Sequence, residues 1–139
     1  MTDIDSPKIV EAIRNAELLT SGEIRVYIAK HCEEDPLDKA SRVFQKLKMH
    51  NTALRNAVLI FVCSTDHKAA ILGDTGINNV IEIDFWDKTL NELITYCSKG
   101  LITEGICKAV DKVGNLIKQK YPYQEGDINE LENEVILED

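Results

Sequence analysis

Glu23, Asn56, Asp74, Asn78 and Asp84 offer carboxylate and amide oxygens, and Gly73 and Gly76 bracket a loop that can turn sharply and face its carbonyls outward. That is the donor set of a hard divalent cation, calcium or magnesium, with Glu23, Asp74, Asn78 and Asp84 as ligands and Asn56, Gly73 and Gly76 in support. A plainer reading stands beside it: Asp74 and Asp84 form a turn and cap the helix that follows. Arg55, next to Asn56, suits the steadying of a phosphate or an ordinary surface position.

Phosphatase chemistry has recognisable devices, and this chain lacks them. A cysteine nucleophile needs an arginine six positions on, but Cys63 is followed by STDHKA, with Ala69 in that place. An aspartyl nucleophile pairs with an acid two residues later, whereas Asp84 meets its next acid at Asp87. There is no Walker loop for a nucleotide. Hydrolysis here would therefore have to be metal-assisted, with bound water as the nucleophile. A second group, His31 and Cys32 with Cys63 and His67, has the side-chain types of a zinc site. Adjacent residues tend to point to opposite faces and the spacing fits no zinc pattern, so core thiols and exposed histidines are the favoured account. Phe85 and Trp86 suit helix packing better than ligand stacking.

These residues need a scaffold, and the stretch from Arg55 to Asn78 supplies its centre. Ala57 to Cys63 is an unbroken apolar run, too short for an ordinary helix and rich in β-branched and aromatic types, which suits a strand buried on both faces. Ser64 to His67 interrupt it, and Lys68 to Leu72 resume it. So short a link permits only an antiparallel return, which brings Asn56, Gly73 and Asp74 to one pole. Upstream, Ser6 and Pro7 begin a helix that runs to about Leu19, and Glu23 to Lys30 alternates as a half-covered strand. Asp35 and Pro36 open a second helix that ends near Met49 to Asn51, completing a right-handed βαβ unit that brings Ser21 to Glu23 to the same pole. Trp86 to Cys97 and a segment capped by Thr103 and stopped at Tyr121 and Pro122 complete the helices. The expected fold is α/β, a three-layer α/β/α sandwich with a small mixed sheet made of a βαβ unit plus an antiparallel hairpin.

Charge is unevenly distributed. Of 24 acidic and 16 basic residues, seven acids and no base fall between Glu125 and Asp139, so the rest of the chain is nearly neutral. Neither part presents the basic field that nucleic acid or an anionic membrane requires. The expected organisation is one domain over residues 1–124 and an acidic tail over 125–139, in which Ile128, Leu131, Val135, Ile136 and Leu137 leave room for docking. The opening MTDIDSPKIV has no signal-peptide pattern, and Cys32, Cys63, Cys97 and Cys107 lack close paired spacing and read as reduced thiols. Both point to a cytoplasmic location.

Several segments in order resemble the TPM domain family: SGEIRVYI at Ser21 to Ile28, LRNAVLIFV at Leu54 to Val62, AILGDTGIN at Ala70 to Asn78, DFW at Asp84 to Trp86, and YPY at Tyr121 to Tyr123. The chain is most similar to the short, stand-alone bacterial branch. The resemblance implies a TPM-like sandwich and a divalent-cation site, and supports Asp74, Asn78 and Asp84 as its residues. The family is often labelled a phosphatase family, and many relatives carry an export signal and a membrane anchor, neither of which is expected from this sequence. The function expected is thus a divalent-cation-binding TPM-like domain. The alternatives are a weak metal-dependent phosphatase at the same pole, or a protein-interaction module with an unidentified protein partner, working through the sheet or the tail.

Overall fold

A computed structural model describes residues 4–52, 54–122 and 135–138. The first helix, α1, spans Ser6–Glu17; its cap is Asp5, which accepts a hydrogen bond from the Lys8 amide at 3.1 Å, so the cap lies one residue before the Ser6 expected. Ile9, Ile13 and Ala16 form its buried stripe. Strand β1 is Glu23–Ala29, and α2, Pro36–Lys46, starts at an Asp35 cap whose carboxylate receives the Leu37 amide at 2.8 Å. Strand β2, Ala57–Cys63, is buried throughout, as a strand covered on both faces should be. A turn with His67 in the left-handed region leads to β3, Lys68–Gly73. There follow the short α3, Thr75–Asn78, then α4, Ile83–Ser98, α5, Ile102–Lys120, and β4, Val135–Leu137.

The sheet order is β3-β2-β1-β4. β1 and β2 run parallel with Glu23 opposite Ala57, and β3 returns antiparallel with Gly73 opposite Val58. β4 adds a parallel strand on the far side of β1, with Val26 opposite Val135. One core lies between the sheet and α1, α4 and α5; the other lies under α2. This is the α/β/α sandwich with a mixed sheet.

Four expectations are corrected, the first being the end of α2, which stops at Lys46 and not near Met49 to Asn51 because Lys48 enters the left-handed region at φ 56°. β1 is not half-covered, for Glu23 and Arg25 are both buried. Thr103 does not cap the last helix: it stands inside α5, and its hydroxyl accepts the Asp5 amide at 3.1 Å, tying α5 to the start of α1. α1 stops at Glu17 instead of Leu19, because the chain must reach Thr20, whose hydroxyl bonds the Tyr121 carbonyl. Ile128 and Leu131 fall outside the described residues, as does most of the acidic tail.

Candidate functional site

The starts of β1 and β2 and the end of β3 meet at one pole. There the Asp74 amide donates to the Ala57 carbonyl at 2.9 Å, which fixes the residue just past the strand. Asp74 is 5% exposed, and its carboxylate has well-defined partners. Oδ1 accepts the Thr75 amide at 2.7 Å, capping α3, and Arg55 grips both oxygens, Nε to Oδ2 at 2.7 Å and Nη2 to Oδ1 at 2.9 Å. Such a two-pronged guanidinium contact fixes orientation as well as charge. The Arg55 side chain is 48% exposed, so its outer face meets water while its inner face neutralises the carboxylate.

The backbone explains the glycines. Arg55 sits at φ 52°, in the left-handed region, and its carbonyl receives the Gly76 amide at 2.9 Å. A Cβ on Gly76 would lie 2.6 Å from that carbonyl oxygen and closer still to the Leu54 oxygen, so only glycine allows the approach. The Gly76 carbonyl in turn accepts the Tyr121 hydroxyl at 2.8 Å. Asn78 donates from Nδ2 to the Gly73 carbonyl at 2.8 Å, closing the loop on itself. A cavity of about 500 Å³ opens beside this pair, lined by Ser41, His50, Arg55, Asp74, Thr75 and Asn78 among others.

The pole therefore gathers Arg55, Gly73, Asp74, Gly76 and Asn78. Asn56 is its neighbour but faces the β1 side, where Nδ2 donates to the Ser21 carbonyl at 3.3 Å. Its Oδ1 is buried and has no partner among the described residues. Glu23 is joined to the pole through its backbone, its amide donating to the Asn56 carbonyl at 3.4 Å, while its carboxylate pairs with Glu17. Asp84 is exposed in the first turn of α4, where Glu82 takes the cap position. No three His, Cys, Asp or Glu side chains gather as metal ligands among the described residues. Any cation here would draw on Asp74 with amide, hydroxyl and carbonyl oxygens.

Two neighbours escaped sequence reasoning. Glu17 closes the end of α1, its Oε2 accepting the Ile24 amide at 2.8 Å. Burial, then the adjoining Glu23 carboxylate, pushes its acid up to about 8 against the backbone bond that favours its charge. Its signal was a carboxylate at the i+4 position from Ile13, on the apolar stripe of the helix. Arg25 is buried beside this pair, and its Nε has no partner among the described residues. Elsewhere, His31 meets Asp66 at 3.4 Å on the surface, apart from Cys63 in the core, so the four soft ligands do not come together. Phe85 and Trp86 meet edge to face and both pack against the core, and a Cβ on Gly73 would stand 3.3 Å from the Trp86 ring.

No described helix is long and apolar enough to cross a membrane. Among curated proteins none matches this chain. Among solved structures, the BA42 protein from the psychrophilic bacterium Bizionia argentinensis is 42% identical, with a TM-score of 0.88 over 96% of this chain and 92% of that one. The N-terminal domain of the cg2496 protein from Corynebacterium glutamicum shares the fold at 12% identity, with a TM-score of 0.59 over 96% of this chain and 80% of that one. The TPM domain profile matches residues 1–116, which hold all of β1, β2 and β3 and the whole polar loop. The chain belongs to the TPM domain family.

Proposed function

We propose that this TPM domain binds a divalent cation, calcium or magnesium, at the pole of Asp74. One observation carries the reading: Asp74 is a buried carboxylate whose counter-charge is a half-exposed arginine, and both line the same open cavity. A counter-charge that reaches water can be exchanged for another cation. Asp74 would be the charged ligand, Asn78 and the Thr75 hydroxyl would supply neutral oxygens, and Arg55 would swing out to admit the ion. The donors are all oxygen, which suits hard cations and gives no preference for zinc or copper. Of the other two ligands expected from sequence, Glu23 turns its carboxylate to Glu17 and is left out of this group, and Asp84, exposed in the first turn of α4, is an outer candidate.

The test is a titration of metal-free protein with calcium and then magnesium, read from backbone amide shifts. Saturating shifts centred on Arg55 and on Gly73 to Asn78, lost in Asp74→Asn, are expected. Arg55→Gln should tighten binding by about tenfold, because the competing positive charge is gone. A titration in which nothing moves, or in which Asp74→Asn responds like the native chain, would sink the reading.

A further inference from the structure

At the other end of the sheet, two thiols meet under α2. Cys63 is the last residue of β2 and Cys32 lies three residues beyond β1, whose own last residue, Ala29, is the register partner of Cys63. Both belong to the α2-side core, and their thiols are neighbours close enough to interact. The Cys32 backbone is pinned from both sides by the β2–β3 hairpin: its amide donates to Asp66 Oδ2 at 2.7 Å, and its carbonyl accepts Lys68 Nζ at 3.2 Å. Its Sγ also bonds the Glu34 carbonyl at 3.2 Å. Two thiols are thus held side by side, on segments joined by backbone bonds from Ser64 to Ala29 and from Thr65 to Lys30.

We propose that Cys32 and Cys63 form a reversible disulfide when the protein meets a peroxide. Both thiols are buried, Cys32 at 3% exposed, and Cys32 is the first to react because its loop without regular structure opens to a small peroxide more readily than the central strand that holds Cys63. Its sulfur attacks one peroxide oxygen; the O–O bond breaks, a sulfenic acid forms and the other oxygen leaves as water. The Cys63 sulfur then attacks Cys32 Sγ; the S–S bond forms, the S–O bond breaks, and the hydroxyl leaves as water with the Cys63 proton. Two thiols and one peroxide give one disulfide and two waters, the two electrons passing from sulfur to oxygen. Burial raises the Cys63 thiol to about 12, which holds it as a thiol and keeps it from reacting with the peroxide itself, so it acts second. Cys97, pushed up to about 11 by burial alone and set in the opposite core, is the internal control that stays reduced. Oxidation would clamp the entrance of α2 to the central strand.

The full chain, folded and treated with hydrogen peroxide, is alkylated, digested without reductant and mapped by mass spectrometry. The expected result is a cross-linked peptide holding Cys32 and Cys63, removed by dithiothreitol, with Cys97 recovered as a free thiol. In Cys63→Ser the sulfenic acid on Cys32 should persist long enough for trapping by dimedone. Recovery of Cys32 and Cys63 as separate thiols under conditions that oxidise Cys107 would overturn the proposal. So would a Cys32 carried on to sulfinic acid beside an alkylated Cys63. The mapping uses the native chain, so it decides even if the variant does not fold.

Discussion

Glu17 and Glu23 place two carboxyl groups at the end of α1 and the start of β1, with Arg25 the nearby cation. The Glu17 acid is raised in the folded chain, so its protonated form stabilises the fold fully below its ordinary value of 4.5 and is lost as the pH rises towards about 8. Thermal melts across that window should show a falling Tm, and Glu17→Gln, which can still accept the Ile24 amide, should flatten the fall. An equal slope in both proteins would show that the titration lies elsewhere. Glu138 has the opposite sign. Its bonds from Lys39 and then Tyr27 lower its acid, so its contribution is present above 4.5 and lost below that as the carboxylate takes up a proton. Sequence reasoning placed Asn56, Gly73 and Asp74 at one pole, because strand direction follows from link length. It had no means of telling that Arg55 turns inward to Asp74, since a rotamer chosen across 19 residues leaves no period in the chain.

The loop from Gly73 to Asn78 works as an element because backbone meets backbone at Gly76. Gly76→Ala should cost about 3 kcal/mol, at the upper end of overpacking, since the atoms it would strike are the Leu54 and Arg55 carbonyl oxygens, not flexible side chains. Urea unfolding of the two proteins measures this, and a loss no larger than that of an exposed substitution would refute the close approach. A milder case is Gly114 in α5, where a Cβ would stand 2.7 Å from Ala16 Cβ and push α1 outward. At this scale most of the fold was legible: β2, β3 and the apolar stripes of α1, α2 and α5 follow from period and caps. α3 escaped because four residues are too few to show a period, although its cap, Asp74, was visible as a turn former. β1 looked half-covered because Glu23 and Arg25 are charged, and only the buried carboxyl pair beside them reconciles that charge with burial on both faces.

At the scale of the molecule, the C-terminal segment is part of the sheet. β4 lies beside β1, the Glu138 amide donates to the Ile28 carbonyl at 2.8 Å, and the Glu138 carboxylate receives the Tyr27 hydroxyl and, at 2.7 Å, Lys39 Nζ. The apolar residues Val135 to Leu137 marked the stretch as able to dock, but a run of three among acids is too short to announce a strand. Glu138→Gln keeps the shape and removes the charge, and should cost about 1 kcal/mol, discounted because the side chain is 32% exposed. A chain ending at Gln124 should lose more and melt well below the native protein, as it exposes one edge of β1; an unchanged melt would mean that the strand adds nothing. Tyr27 and Glu138 stand 111 residues apart in sequence. During synthesis β1 leaves the ribosome well before its outer neighbour, with those 111 residues in between, so the nascent sheet carries an open hydrogen-bonding edge over that interval. Contacts of such long sequence separation also slow folding. The interval between the two strands is therefore when this protein is most exposed to pairing with another chain, and when a chaperone would have most to do.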